Sequence, residues 1–126
     1  MRNHATAPRA SAFGYNNTTS GYAASAFGYV NLAHGPKSTS VGFGNYASGC
    51  ATAVGFSNSA TSGRTSSFGY ANTASGYHSI AIGYSNSASG YNSAAFGYHN
   101  NSSSNYTGAF GYYNNVNGMA STAVGY

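Results

Sequence analysis

Residues 79–92 read Ser-Ile-Ala-Ile-Gly-Tyr-Ser-Asn-Ser-Ala-Ser-Gly-Tyr-Asn, and this order of residue types recurs along almost the whole chain of 126 residues. A glycine followed by an aromatic residue marks each copy. These marker glycines are Gly14, Gly28, Gly42, Gly55, Gly69, Gly83, Gly97, Gly111 and Gly125. Their spacing is constant except that Gly55 follows Gly42 one position early. A fixed short period is typical of a repeat protein, in which each unit stacks on the next.

The residues around the marker glycine favour a strand over a helix. A second glycine in most units, such as Gly90, brings the cost of a helix to about 2 kcal/mol per repeat relative to alanine. The residue before the marker is aromatic or β-branched: Phe13, Phe27, Val41, Val54, Phe68, Ile82, Phe96, Phe110 and Val124. The residue before that one is always Ala or Ser. Because successive strand residues point to opposite faces, we expect the bulky column to face the interior.

Turns are expected after each strand. Glycine and asparagine tolerate positive φ, so the Gly-x-x-Asn stretch supplies turn chemistry. Two short strands and two turns in each repeat make one coil of a thin roll. We therefore predict an all-β fold, a parallel β-roll or β-solenoid of 14-residue rungs. Residues 10–126 form about eight rungs, and residues 1–9 form an N-terminal extension. The residue missing between Gly49 and Gly55, with Gly63 one position late, is expected to tighten or kink a single turn.

Composition excludes most catalytic chemistry. The chain has no Asp or Glu, and only 3% of its residues are charged. A carboxylate acid–base pair, a Ser-His-Asp triad and a hard-cation cage therefore have no candidate residues. His4, His34, His78 and His99 occupy different repeat positions and are not expected to form a metal site. We predict a protein that is not an enzyme, with no cofactor and no bound metal, and with Cys50 as an incidental free thiol.

Charge and hydropathy also bear on the partners. Arg2, Arg9, Lys37 and Arg64 are scattered along the sequence, which argues against a nucleic-acid partner. No apolar run of about 18 residues exists, so this segment is not expected to insert into a membrane. The first residues lack an apolar h-region, so an export signal is expected outside this chain or export follows another route.

The units resemble the YadA-like head repeat, also called the Hep/Hag repeat, of trimeric autotransporter adhesins. Residues 79–90 are close to that family's Ser-Val-Ala-Ile-Gly…Ala-Ser-Gly pattern, and residues 93–97 and 121–125 repeat its first half. The resemblance runs from about Ala10 to Tyr126. It implies left-handed parallel β-rolls that associate as trimers, in bacterial surface adhesins and in some phage tail fibres. The sequence departs from the family pattern in its frequent Phe before the glycine, its aromatic residue after it and its lack of acidic residues.

Two columns are the candidate functional features. The aromatic column could bind glycans or another fibre, or could be a self-stacking ladder that stabilises the rungs or fills a subunit interface; the second reading is preferred. Its members are Tyr15, Tyr29, Phe43, Phe56, Tyr70, Tyr84, Tyr98, Tyr112 and Tyr126. The asparagine column is expected to form a structural amide ladder. Its members are Asn17, Asn31, Asn45, Asn58, Asn72, Asn86, Asn100 and Asn114. A broken second column has Tyr22, Tyr77 and Tyr91, with Pro36, Cys50, Arg64, Asn105 and Met119 at the equivalent places.

These observations predict an extracellular, cell-surface or virion-fibre module, structural or adhesive, such as an adhesin head or a tail-fibre rod. The alternative is a self-assembling extracellular filament subunit with a purely structural role, since both ends of the sequence read as repeat. Ice binding is a third reading, against which the lack of a regular Thr-x-Thr ladder weighs. The expected partners are other copies of the chain, as a homotrimer or a filament, and a host-surface glycan or protein.

Overall fold

The computed structural model describes residues 2–126, which fold into two parallel β-sheets of nine strands each. Every rung contributes one long strand and one short strand. The long strands are β2 (Ser11–Tyr15), β4 (Ser25–Tyr29), β6 (Thr39–Phe43), β8 (Thr52–Phe56), β10 (Ser66–Tyr70), β12 (Ile80–Tyr84), β14 (Ala94–Tyr98), β16 (Gly108–Tyr112) and β18 (Thr122–Gly125). The short strands are β1 (His4–Ala5), β3 (Thr18–Thr19), β5 (Leu32–Ala33), β7 (Tyr46–Ala47), β9 (Ser59–Ala60), β11 (Thr73–Ala74), β13 (Ser87–Ala88), β15 (Asn101–Ser102) and β17 (Asn115–Val116).

Strands pair with the equivalent strand of the next rung, so identical repeat positions stand side by side. In the pairing of β12 with β14, for example, Ala81 faces Ala95 and Tyr84 faces Tyr98. The predicted fold class, a parallel β-solenoid of 14-residue rungs, is confirmed. The segment expected to be an N-terminal extension contains β1, which pairs with β3. The stack therefore has nine strands in each sheet where about eight rungs were expected.

The interior of the roll is filled by small and polar side chains. Ala26, Ala81 and Ala95 are fully buried, whereas Phe13 and Phe27 are 60% and 39% exposed. The expectation that the bulky column points inward is therefore wrong, and the Ala/Ser column takes that place. The narrow space between the two sheets has room for methyl, hydroxyl and amide groups. An aromatic ring on each rung would force the sheets apart.

Both turns of a rung depend on a residue with left-handed backbone. The first turn puts it directly after the aromatic column, as at Asn16 with φ 54° and Val30 with φ 55°. The expectation of positive φ in the Gly-x-x-Asn stretch holds for the glycine but not for the asparagine. Gly14 has φ 112°, but Asn17 is not among the positive-φ residues. The asparagine side chain enters the core instead, and the residue before it turns the chain.

The residue that one repeat lacks is missing from its second turn. This turn has four residues between Ala33 and Ser38, but only Ser48–Cys50 between Ala47 and Ala51. The pairings on both sides keep their register, with Thr39 opposite Thr52 and Ala47 opposite Ala60. The shortening is thus absorbed in one tightened turn.

The register also corrects one assignment. Ser66 pairs with Ile80, so Arg64 is level with His78 and Gly63 is level with Tyr77. Consistent with this, a Cβ on Gly63 would lie 2.5 Å from the Tyr77 ring. Arg64 therefore does not belong to the tyrosine column of the second turn, where the sequence interpretation placed it.

Candidate functional site

The outer face of the long-strand sheet carries most of the exposed apolar side chains. Alternation along each strand directs its first, third and fifth residues outward, as Ala94, Phe96 and Tyr98 in β14. Three columns result, which together we call the outer face: a mixed column that is mostly Ser or Thr, the bulky column and the aromatic column. This face, and not the core, is where Phe, Tyr, Val and Ile concentrate.

The aromatic column is a continuous stack of nine rings. Neighbouring ring centroids lie 4.7–5.0 Å apart from Tyr15 to Tyr126, with interplanar angles of 3–10°. Inner members such as Tyr29 and Phe56 remain 43% and 41% exposed. Because each ring face is covered by the next ring, the exposed parts are the ring edges and the phenol hydroxyls.

This arrangement limits what the aromatic column can bind. A sugar ring stacks on an open aromatic face, and inside the column no such face is free. Edges and hydroxyls remain available for packing against another apolar surface and for hydrogen bonds. The geometry favours a column whose stacked rings stabilise adjacent rungs.

The bulky column runs beside it and widens the apolar strip. Its phenylalanines also stack where they are adjacent, with centroids 5.3 Å apart for Phe13 and Phe27 and for Phe96 and Phe110. Val41, Val54, Phe68 and Ile82 continue the column through the middle rungs at intermediate exposure. Sequence reasoning assigned this column to the core and so missed it as a surface.

The asparagine column lies inside the first turn and links every rung. At Asn31, Nδ2 lies 3.0 Å from Asn17 Oδ1, 3.0 Å from the Phe27 carbonyl and 2.7 Å from the Gly42 carbonyl. Its Oδ1 accepts hydrogen bonds from the backbone N–H and the side chain of Asn45, both at 3.0 Å. The pattern runs from Asn17 to Asn114, and Asn3 extends it at one end. Each amide thus joins three successive rungs.

The second turn carries a further group of exposed aromatics. Tyr22, Tyr77 and Tyr91 are 44%, 45% and 39% exposed, and the Tyr77 and Tyr91 rings stack at 5.9 Å. The next residue of the same turn is Arg9, Lys37 or Arg64 in three of the rungs. These three cations, which the sequence interpretation took as scattered, therefore stand in one column.

The phenol of Tyr98 has a perturbed pKa. Loss of hydration within the aromatic column, followed by the neighbouring phenols of Tyr113, Tyr112 and Tyr84, raises the pKa of Tyr98 above its ordinary value. Cys50 is exposed as a free thiol. Within residues 2–126, no three His or Cys side chains come close enough together to hold a metal ion. The same residues include no helix with the length and apolarity needed to cross a membrane.

Comparison with known proteins agrees with the architecture. No curated protein matches the chain. A family model described as the YadA head domain repeat, which spans two copies of the repeat, matches residues 5–30, 60–86, 74–100 and 109–126. The matched segments cover more than half of the chain, and they fall on the rungs whose strands and asparagine column are described above. The chain therefore belongs to the YadA head domain repeat family.

Proposed function

We propose that the chain is a non-catalytic, extracellular β-roll rod of the adhesin-head or tail-fibre kind, which works as an assembly of copies joined through the outer face. The observation that carries the proposal is the reversal of the usual distribution of side chains. The core holds Ala, Ser, Thr and Asn, while the rings of Phe27, Tyr29 and Phe43 are 39–44% exposed. Exposed apolar strips of this extent mark interaction surfaces in soluble proteins.

The size of the outer face suits a second copy of the same chain. Nine rungs at about 4.8 Å give a length of about 43 Å, and five residues at about 3.3 Å give a width of about 17 Å. The face is therefore roughly 700 Å² per copy, or about 1,400 Å² for a pair, which is within the range of stable interfaces. No carboxylate or amine lies on its bulky and aromatic columns, so no charge opposes the contact.

The family supports closure of this contact into a trimer. Copies whose rods run parallel can each turn the outer face toward a common axis, and the exposed ring edges of one copy then pack against those of the next. Equivalent contacts made around such an axis close the assembly. The alternative role, a purely structural filament, requires copies that also add end to end.

The adhesive part of the proposal concerns what the rod presents. YadA heads belong to surface-exposed adhesins, and a stiff stack of rungs holds its outer residues away from the surface that carries it. We propose the cell surface or a virion fibre as the location, and a host-surface glycan or protein as the external partner. The surfaces left for that partner are the turns and the short-strand sheet.

Light scattering after gel filtration tests the assembly. The wild-type chain is expected to have three times the mass of one copy, and Phe68→Lys, which puts an ammonium group in the middle of the outer face, is expected to be monomeric. Thr73→Lys is the matched control, because it adds the same charge on the exposed side of the short-strand sheet. Circular dichroism on both variants separates loss of assembly from loss of fold.

A second measurement keeps the test independent of folding defects. In a Cys50→Ser background, which removes the exposed native thiol, Ile82→Cys places a thiol on the outer face. Under mild oxidation this variant is expected to give disulfide-linked dimers, whereas Thr73→Cys in the same background is not. A monomeric wild-type chain at micromolar concentration would refute the proposed assembly. Electron microscopy of the same sample distinguishes discrete short rods from the continuous fibres that a filament subunit would form.

A further inference from the structure

The second turn of every rung places one residue with left-handed backbone at the corner of the roll. These residues form a column: Arg9, Ala23, Lys37, Gly49, Arg64, His78, Asn92, Tyr106 and Ala120, all with φ between 51° and 69°. In most rungs the backbone N–H of this residue donates to a carbonyl of the preceding rung, as Lys37 does to Tyr22 at 2.8 Å. The corner is therefore held by the backbone, and its side chains are free to vary.

Three of the four Lys and Arg residues of the chain fall in this column. Arg9, Lys37 and Arg64, which we call the basic row, are all exposed. Each stands two rungs from the next, which corresponds to about 10 Å at the spacing of parallel strands. The rungs between them present Ala23 and the tightened turn at Gly49, so no large side chain stands between the charges.

The charges of the basic row have no acidic side chain to neutralise them. The chain has no Asp or Glu at any position. Arg9 is also oriented by Tyr22, with its guanidinium carbon 5.7 Å from the ring centroid. His78 follows Arg64 in the column, but its Nε2 is buried and its ring packs on Tyr77 at 4.4 Å. The row therefore consists of two guanidinium groups and one ammonium group.

We propose that the basic row binds a linear anionic polysaccharide whose sulfate or carboxylate groups recur about once per disaccharide. The even spacing of about two rungs fits one charge per two sugar units of an extended chain, which lies along the corner of the rod. Exposed guanidinium and ammonium groups bind such oxyanions by charge-assisted hydrogen bonds. This inference rests on the proposed adhesive function and names the class of its external partner.

A nucleic acid fits the row less well. A nucleic-acid strand of a duplex carries one phosphate per about 3.4 Å of axis, so cations about 10 Å apart would leave most phosphates unpaired. Single strands are usually held by bases stacked on open aromatic faces. Tyr22 stands beside the row, and the Arg9 guanidinium lies over its ring.

The basic row stays accessible in the proposed assembly. Arg64 lies two residues before β10, at the amino end of the long strands, whereas the aromatic column lies at their carboxyl end. The mixed Ser/Thr column separates the row from both apolar columns. A trimer joined through the outer face would therefore present three such rows.

Binding measurements with two probes test the proposal: keratan sulfate, which carries about one sulfate per disaccharide, and hyaluronan, which carries one carboxylate per disaccharide. Replacement of the row by Arg9→Gln, Lys37→Gln and Arg64→Gln together is expected to weaken binding of at least one probe by tenfold or more. Arg2→Gln is the matched control, because Arg2 lies next to Asn3 at the other turn, level with Asn16. It is expected to change the affinity by less than twofold.

A variant of constant charge tests the spacing itself. Ala23→Lys combined with Lys37→Ala moves the middle cation to one rung from Arg9 and three from Arg64, at a position with the same left-handed backbone. Binding is expected to fall several-fold. An affinity equal to that of the wild type would overturn the proposal, since only net charge would then matter. Tighter binding of single-stranded DNA than of either polysaccharide would also overturn it.

Light scattering on the same samples separates this inference from the proposed assembly. If the wild-type chain forms trimers and the triple variant binds the probes as well as the wild type does, the proposed binding role of the basic row is wrong and the proposed assembly is not. If the wild-type chain is monomeric and the triple variant still binds the probes more weakly than the wild type does, the binding role of the row is supported and the outer-face assembly is wrong. No binding of either probe by the folded wild-type chain refutes the row.

Discussion

Ala95 and Phe96 are consecutive residues of β14, yet they belong to regions of opposite character. Ala95 is completely buried among other small side chains, whereas Phe96 lies on the outer face beside other rings. In most globular proteins the larger apolar residue would be the buried one. The difference indicates that hydrogen bonds and close packing of small side chains stabilise the interior of the roll, while the large apolar residues stack between rungs on its outer face.

Removal of a core amide should have the largest effect on stability. In Asn100→Ala, the Phe96 and Gly111 carbonyls, 2.8 and 2.7 Å from Nδ2, lose their donor, and Asn114 loses its acceptor. Each buried polar group left unpaired costs about 1–3 kcal/mol, so we expect a loss on the order of 4 kcal/mol in chemical denaturation. Asn101→Ala, at the next position along the chain, removes a single exposed bond to Asn115 and should cost less than about 1 kcal/mol. Similar losses in the two variants would contradict a structural role for the asparagine column.

The comparison between the two sides of one strand can be tested directly with leucine. Ala95→Leu adds three carbons to a filled interior and is expected to cost about 3 kcal/mol through overpacking. Ala94→Leu puts the same side chain on the opposite side, where the neighbouring strand already carries Ile80, and should change stability by no more than about 0.5 kcal/mol. Thermal unfolding of both variants decides the matter, and a larger loss for Ala94→Leu would mean that the faces are assigned the wrong way round.

These two comparisons show which parts of the fold the sequence could predict. The period, the parallel stacking and the asparagine column follow from residues that recur at fixed offsets, so they could be read directly. Strand alternation places Ala95 and Phe96 on opposite sides, but it does not say which side faces inward. That choice depends on the width of the interior, which is set when the asparagine side chain and two turns close each short coil. The uniformly small size of the Ala/Ser column was the available signal.

The basic row was hidden for a different reason. Lys37 follows Arg9 by two full periods, but Arg64 follows Lys37 by one position less than two periods. Counting from glycines placed Arg64 level with Tyr77, because the usual glycine position of that turn holds Ser62. Only strand pairing across the tightened turn shows that Arg64 stands in the same column as Lys37.

A ring removed from the aromatic column should have a moderate effect on the stability of a single copy. Phe56 stacks between Phe43 at 4.9 Å and Tyr70 at 5.0 Å, and aromatic pairs contribute about 0.5–1.5 kcal/mol each. We expect Phe56→Ala to lose about 2 kcal/mol. Phe56→Tyr, which keeps the ring and adds an exposed hydroxyl, should stay near the wild-type value. The measurement should use dilute, monomeric protein, and equal stability of the two variants would show that stacking contributes nothing within one copy.

The smallest expected effect concerns ionisation on the outer face. The raised pKa of Tyr98 means that the folded chain holds this proton more tightly than the unfolded chain does. The resulting stabilisation is fully present below the ordinary tyrosine pKa and is lost as the pH rises through the raised value. Spectrophotometric titration should show a late-ionising phenol that is missing in Tyr98→Phe. A wild-type titration identical to that of the variant, apart from one ordinary tyrosine, would contradict this expectation.

The tightened turn at Ser48–Cys50 bears on how such a chain can diversify. One rung has lost a residue at a corner, and the strands on both sides still pair position for position. Changes of length at this corner therefore stay local, since the sheets and the asparagine column do not pass through it. A foreign peptide inserted at Gly49 would be displayed on the side of the rod at a defined position along its length. The fold is therefore suited to presenting epitopes that are separated by a whole number of rungs.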